Sequence, residues 1–452
     1  RSGLALLRHE LTKKKKHLPI RRLFQRAGDA LTALQPCLLM SPMSVAQYLP
    51  KRAGMIDLLV IDEASQMRPE DAFGAILRSR QVVVVGDPKQ LPPTNFFRAD
   101  GDVGGGDDEE DDPGDVESIL DKAIGAFRPA RRLSWHYRSR HPMLAAFSNR
   151  AFYDGELTLF PAPVEHHDGG GVRRTLVEGA RYKRSRNPRE AEAVIEALRA
   201  QIRRYPEESV GIVALNQPQA ELIATELDRL RAQDAEIRAF LERFDEGLDP
   251  VFVKNLENVQ GDERDAILIS TVYGPDADSG KVRQGFGPIN RATGWRRLNV
   301  LITRARVRIH LITSLRASDL LVGDSSPRGV KALRDYLHFA ETGSLPPVEG
   351  RITPEREADS PFELEVGDAV RRLGYEVVPQ VGVEGFFIDL AVVDPRRTGH
   401  FLLGIECDGA TWHSTRSARE RDRLRQSILE NLGWSLHRIW STDWFTDAER
   451  EC

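Results

Sequence analysis

Cysteine is scarce in this 452-residue sequence: Cys37, Cys407 and Cys452 are the only three. They stand too far apart for the paired spacing of a zinc cluster, and three cannot build a disulfide framework. That usage fits a reducing, cytoplasmic setting. Long hydrophobic runs are also missing. None approaches the roughly 20 residues that cross a bilayer, so a helical membrane protein is not expected. There is no initiator Met and no apolar leader; the chain opens Arg1-Ser2-Gly3 and reads as an internal piece of a longer protein. No internal repeat is visible. A strong excess of one charge is lacking too, since 64 Lys plus Arg face 68 Asp plus Glu for a net charge of −4.

What is present is an ordinary globular composition, 40% hydrophobic and 29% charged, with length enough for two or three cores. The charge is uneven. Residues 107–112 are six consecutive acids, whereas residues 13–16 and 416–425 are basic, so local patches say more than the overall balance. Short β-rich apolar runs at 58–61, 82–85, 211–215, 267–269 and 309–312 predict buried parallel strands of α/β layers. Amphipathic helices are predicted at 190–202 and 219–231, where Val194, Leu198 and Ile202 recur at four-residue steps. The acidic, Gly-rich stretch 104–114 predicts a disordered loop, and 167–171 predicts another. The Pro- and Gly-rich stretch beginning at Gly343 predicts a linker. Behind it follow a helix from 361, strands at 387–393 and 401–407, a helix at 415–432 and a strand at 435–440. The expected order there is α-β-β-α-β.

Asp62-Glu63-Ala64-Ser65 ends the first apolar run with two carboxylates. Ends of parallel strands are where open α/β sheets bind ligands. An acid there can hold Mg²⁺ and its neighbour can activate water; alone, such a pair is as readily a solvated strand end. About 20 residues on, the second run leads into Gly86-Asp87-Pro88-Lys89-Gln90-Leu91-Pro92-Pro93. With these two strings the chain resembles the superfamily 1 helicases of the nonsense-mediated-decay type, as motifs II and III. The resemblance implies Mg²⁺ binding by Asp62, a general-base role for Glu63 and γ-phosphate sensing by Gln90. Three further segments match in order. Leu133-Ser134-Trp135-His136-Tyr137-Arg138-Ser139 would bring Arg138 to the nucleotide phosphates. Val259-Gln260-Gly261-Asp262-Glu263-Arg264-Asp265 is similar to motif V, with Gly261 and Glu263 facing the nucleotide. Arg297-Leu298-Asn299-Val300-Leu301-Ile302-Thr303-Arg304-Ala305-Arg306 is similar to motif VI, with Arg304 as arginine finger. Phosphoryl transfer asks for such groups, because a guanidinium fork bonds phosphate oxygens bidentately.

One part of the pattern is missing. Nothing before Asp62 reads G-x-x-x-x-G-K-[S/T]; Gly3, Gly28 and Gly54 stand alone. Without that loop the β- and γ-phosphates lack their backbone N–H cradle. The expectation is no ATP turnover by this polypeptide alone, the loop coming from a missing N-terminal segment or a partner subunit.

The last segment resembles the very-short-patch-repair and broader PD-(D/E)XK endonucleases through Ser360-Pro361-Phe362-Glu363-Leu364-Glu365, Ile388-Asp389, Ile405-Glu406-Cys407-Asp408-Gly409, His413 and Arg421-Asp422-Arg423. The resemblance implies a site for Mg²⁺ or Mn²⁺ held by Asp389 and Glu406, with Glu363 preferred over Glu365 as the helix acid. The broad class carries Lys two residues after that Glu; this chain has Asp408, either a further ligand or a sign that the cation comes from elsewhere, with His413 and Arg421 as candidates. Arg416, Arg419, Arg421 and Arg425 on the following helix are expected to contact nucleic-acid phosphates, above a buried stripe of Leu424, Ile428 and Leu432.

The fold class expected is therefore α/β: RecA-like parallel-sheet motor domains, the first incomplete (1–130) and the second at 131–342, a linker at 343–358, and a small endonuclease-like α/β domain at 359–452. The leading function is the C-terminal part of an ATP-dependent DNA helicase–nuclease, with RNA not excluded. The alternative is a non-catalytic nucleic-acid-binding or regulatory module with a degenerate motor and nuclease.

Overall fold

The structure is a computed structural model describing residues 2–93, 117–164, 170–345, 360–408 and 416–451, without the side chains of 416–421. The acidic stretch 104–112, most of the predicted linker, and His413 lie outside the described residues. The chain forms two compact units, Arg1–Arg132 and Leu133–Cys452.

In the first unit, helices α1 (Gly3–Thr12) and α2 (Ile20–Leu34) pack Leu6 and Leu7 against Ala27, and α3 (Pro42–Tyr48) follows. Strands β1 (Ile56–Ile61) and β2 (Ser79–Val84) then pair in parallel, with Ile61 opposite Val84. Between them lies α4 (Pro69–Ile76), and α5 (Ile119–Ala126) comes after. Ile61, Ala72, Ile119 and Leu120 form the core beneath this pair. The expectation of fully buried strands fails here. Leu58 is 51% and Val60 57% exposed, and Val83 is also exposed. A parallel sheet is normally covered on both faces; among the described residues this two-stranded one is covered on one.

The second unit opens with β3 (Trp135–His136), α6 (Met143–Phe152) and β4 (Thr158–Leu159). Then come β5 (Gly171–Leu176), α7 (Pro188–Arg204), β6 (Val210–Ala214), α8 (Gln217–Gln233), α9 (Ala235–Asp245), β7 (Phe252–Asn255), β8 (Arg264–Ser270), α10 (Gly294–Ile302), β9 (Ala305–Thr313) and α11 (Arg328–Thr342). The strands form a five-stranded, wholly parallel sheet in the order β5-β9-β8-β6-β7. Every residue of β6 is buried. Helix α7 starts where the Asn187 side chain accepts from the Glu190 N–H and Pro188 sets the first turn; it lays Val194, Leu198 and Ile202 on the sheet. Glu190 itself is buried at the carboxyl ends of β8 and β9. Its carboxyl accepts from Ser270 Oγ at 2.8 Å, Val272 N at 2.6 Å and Ser314 Oγ at 2.7 Å.

The final segment contains α12 (Pro361–Arg372), β10 (Val377–Val381), β11 (Ile388–Val393), β12 (Phe401–Asp408), α13 (Arg416–Asn431) and β13 (Leu436–Trp440). The sheet order is β10-β11-β12-β13, antiparallel twice and then parallel. Strands β11 and β12 are central, as their apolar flanks predict. Two expectations need correcting. Strand β10 precedes the predicted pair, so the order is α-β-β-β-α-β; its Pro379 and Gln380 dilute the apolar signal. Among the described side chains of α13 the buried pair is Ile428 and Leu429, while Leu424 is 53% exposed, because it comes one turn before the part of the helix that packs into the sheet's core.

This sheet does not hang free of the motor fold. Phe160, 3% exposed, shares a core with Phe386, Ile388, Phe401 and Trp434, and its ring meets Trp135 edge-on at 5.6 Å. The Trp434 indole N–H donates to Pro161 O at 2.9 Å, and Phe401 N donates to Pro163 O at 3.0 Å. The Glu384 carboxylate is gripped by Asn149 and Arg150. Gly385, with φ +78°, comes so close that a Cβ there would stand 3.0 Å from Thr158 Cα.

Candidate active site

The small sheet carries a cavity of about 640 Å³ at the ends of its central strands, lined among others by Glu363, Asp389, Glu406, Asp408, Arg425 and Arg438. Glu363 reaches it from the first turn of α12, where Ser360 caps the helix and donates through Oγ to Glu363 Oε1 at 2.9 Å. Gln380 Nε2 donates to the other oxygen at 3.0 Å. Glu363 is buried and Glu365 exposed, so of the two it is Glu363 that faces the cavity. Gln380 holds a left-handed backbone, φ +51°, in the middle of β10, a conformation that costs a non-glycine residue about 1 kcal/mol or more.

Asp389 stands near the start of β11 and Glu406 near the end of β12, one residue beyond the Leu390–Ile405 pair of the antiparallel register. The backbone N–H of Cys407 donates to Asp389 Oδ2 at 2.7 Å, which orients that carboxylate. On the other side Glu406 is in parallel register with Arg438 of β13, and Arg438 Nε lies 3.0 Å from Asp408 Oδ2. Burial pushes the Glu406 carboxyl up to about 7, the Asp389 charge adds to this, and Arg438 opposes it. Glu406 Oε1 is buried and accepts no hydrogen bond from the described residues.

A half-buried acid with a buried, orphaned oxygen beside a second acid is the electrostatic setting that a cation relieves, so the residues fit a divalent metal. Among the described residues no group of three His, Cys, Asp or Glu side chains could hold an ion. The fit is to a hard cation taken by the two carboxylates, with water and phosphate oxygens completing its shell, as suits Mg²⁺.

Arg425 borders the same cavity, its guanidinium 5.7 Å from the Trp135 ring centroid and 5.5 Å from that of Phe386. The side chains of Arg416, Arg419 and Arg421 lie outside the described residues, as does His413. Among the cavity residues that escaped sequence reasoning are Gln380 and Arg438. Arg438 had a signal: it sits in the last apolar strand, between Leu436 and Ile439, where a buried-face cation needs an anionic partner.

The motor motifs fall in both units. In the first, Asp62 and Glu63 are exposed at the end of β1, Asp62 Oδ1 accepting from Glu63 N at 2.9 Å. Glu63 adopts φ +50°. Gln90 Nε2 donates to Asp87 Oδ2 at 3.3 Å, and Gly86 lets its strand end approach Ala64, where a Cβ would stand 3.1 Å from Ala64 N. In the second unit, Arg138 and Glu263 meet at 3.3 Å at the amino ends of β8 and β9, with Gly261 turning at φ +87°. Arg304 is brought to the same strand ends but is 5% exposed, donating to Val300 O at 2.8 Å and Thr303 Oγ1 at 3.1 Å.

Two models of AAA domains match residues 42–97 and 116–316, and the restriction-endonuclease family model REase_MTES_1575 matches residues 362–452. The ATP-dependent helicase MG140 homolog of Mycoplasma pneumoniae is 31% identical over 444 residues, covering 93% of this chain and 38% of the relative. Regulator of nonsense transcripts 1 of Dictyostelium discoideum is 23% identical over 77% of this chain and 24% of its own length. The DNA replication ATP-dependent helicase/nuclease DNA2 of Gallus gallus is 22% identical over 57% of this chain and 23% of its own. The chain thus spans about two fifths of the length of the Mycoplasma pneumoniae relative. Over that span it belongs to the superfamily 1 helicases related to the regulators of nonsense transcripts and DNA2, with a restriction-endonuclease-family domain at its C-terminal end.

Proposed function

We propose that the cavity around Asp389 and Glu406 is the active site of a metal-dependent DNA endonuclease, and that the motor motifs belong to an ATP-driven helicase that delivers DNA to it. The observation carrying this is Glu406: a half-buried acid with one buried, orphaned oxygen, beside Asp389 and two arginines. Asp389 and Glu406 would hold Mg²⁺ or Mn²⁺, which when bound supplies charge stabilisation and an activated water. The chain's own groups do the rest. The Cys407 N–H fixes the Asp389 carboxylate, Gln380 and Ser360 fix Glu363, and Arg438 and Arg425 draw the negatively charged phosphodiester into the cavity. Arg438 is the cation that takes the place of the Lys for which this sequence has Asp408.

ATP turnover needs a phosphate loop absent from this sequence, and we assign that loop to protein outside it. The exposed apolar faces of β1 and β2 support this, since such faces are ordinarily covered by further strands and helices. The restriction-endonuclease family model over residues 362–452 supports DNA rather than RNA as the substrate.

A second reading, a nucleic-acid-binding module without cleavage, is favoured by one observation: no three ligating side chains among the described residues group to hold an ion. Labelled single- and double-stranded DNA incubated with the chain in Mg²⁺ or Mn²⁺ without ATP separates the two. Cutting that both Asp389→Ala and Glu406→Ala abolish is the expected result. DNA binding without cutting on any substrate, by folded protein, would replace the first reading with the second.

A further inference from the structure

Arginines in folded proteins are usually neutralised by a carboxylate. Arg173, on the edge strand β5, is held differently. Its Nη2 donates to His310 Nδ1 at 3.2 Å, and His310 Nε2 in turn donates to Thr175 Oγ1 at 2.7 Å. His310 is 6% exposed, and burial followed by the Arg173 charge lowers its pKa to about 3, so the imidazole is neutral and orients the guanidinium without cancelling it. Arg308, on the neighbouring strand, lies over the Tyr205 ring at 3.4 Å from its centroid and gives Nη2 to Glu208 at 2.8 Å. Its Nε is buried without an acceptor among the described residues, as are Nε and Nη2 of Arg174. Arg174 has a side chain only 7% exposed, with one ion pair, to Glu341 at 2.9 Å.

Arg173, Arg174, Tyr205, Arg308, His310 and Glu341 line one cavity of about 610 Å³ where β5 and β9 meet the end of α7 and the end of α11. Three features converge there. A charge is fixed by a neutral group, buried N–H donors lack acceptors, and a guanidinium–ring stack offers a flat face. Each cost is relieved by one kind of ligand, an anion rich in acceptor oxygens. The volume is far more than one phosphate occupies and suits a nucleotide-sized group; the flat face suits a base.

We propose that this cavity binds a phosphate and adjoining nucleoside of a single-stranded nucleic acid, with Arg173 as the phosphate ligand, Arg308 on Tyr205 as the stacking platform and His310 as the positioning residue for Arg173. The site is separate from the endonuclease cavity and from the nucleotide-facing motifs, and it does not depend on either being active.

The test is binding of a fluorescent single-stranded DNA oligonucleotide to the full chain, without metal or nucleotide, across a range of salt. Arg173→Ala is expected to weaken binding roughly tenfold and to lower the slope of log affinity against log salt by about 0.7, the value for one phosphate contact on a single strand. Arg173→Lys, which keeps the charge, is expected to retain the slope, and Arg238→Ala, an exposed arginine on α9, is expected to change nothing. An unchanged slope in folded Arg173→Ala overturns the proposal. Arginine modification by phenylglyoxal, read at Arg173 in the unaltered chain, needs no variant. Protection by the oligonucleotide supports the assignment. Protection by inorganic phosphate but not by oligonucleotide at equal phosphate concentration would replace the nucleic acid with a free phosphate.

Discussion

If Phe160 belongs to the core of the endonuclease sheet, residues 360–452 should not fold by themselves. The ring is 3% exposed and meets Trp135 at 5.6 Å and Phe386 at 5.1 Å. Truncating such a phenylalanine to alanine costs about 3–5 kcal/mol in lost transfer energy and cavity formation, and each ring pair adds roughly 0.5–1.5 kcal/mol. Excising residues 360–452 removes more than the ring. Trp434 Nε1 and Phe401 N lose their acceptors at Pro161 and Pro163, and a stranded buried donor costs about 1–3 kcal/mol. A domain of this size has only about 5–15 kcal/mol of net stability, so the losses consume most of it. Near-ultraviolet circular dichroism and urea unfolding followed by tryptophan fluorescence should show fixed packing and a cooperative transition for 133–452. The fragment 360–452 should show neither, and Phe160→Ala in the longer chain should shift the midpoint down. A fragment 360–452 that unfolds cooperatively at the midpoint of the longer chain would refute the shared core.

Two further outcomes follow from buried polar groups of the parallel sheet. His310 has a folded pKa of about 3 against 6.5 in the unfolded chain, so its contribution is complete above pH 6.5 and is lost as pH falls from there toward 3, at about 1.4 kcal/mol per pH unit. The urea midpoint should fall between pH 7 and pH 5 in the parent and fall less steeply in His310→Gln; equal pH slopes would contradict this. Glu190→Ala removes the acceptor of Ser270 Oγ, Val272 N and Ser314 Oγ at once and should destabilise the second unit by about 3–5 kcal/mol, read by thermal unfolding. A loss under about 1 kcal/mol would mean that the knot is filled by water instead.

Much of this was legible in the sequence because the signals are local. The runs at 211–215, 267–269 and 309–312 fall on the buried parallel strands β6, β8 and β9, since a strand covered on both faces is largely apolar, His310 being the polar exception. The helix at 190–202 was legible from its four-residue stripe. Strand β10 was not, because Pro379 and Gln380 break the apolar run and the strand is at an edge. Strand β5 was missed for a related reason: Arg173 and Arg174 interrupt it, and those arginines line the second cavity. The acids Glu363, Asp389, Glu406 and Asp408 could be named from motif resemblance, and the structure gathers them around one cavity. That Arg438 would pair with Asp408 could not be read, because the contact depends on the parallel register of β12 with β13 across 30 residues of chain. The exposure of Leu58 and Val60 is likewise invisible in a sequence, where a strand carries no mark of how many neighbours it has.

Gly385 has a consequence for inheritance. Its backbone lies against Thr158, more than two hundred positions earlier, at a distance that leaves no room for a side chain on either partner to grow. A recombination event that exchanged the last segment of this gene for another endonuclease would bring a new loop to an old surface, and the two would not match. Viable exchanges must carry the stretch from Trp135 to Val164 along with the tail, as two separate cuts, or follow later adjustment of one to the other. Thr158 and Gly385, and Asn149 with Arg150 and Glu384, are accordingly the pairs at which substitutions in related genes should occur together.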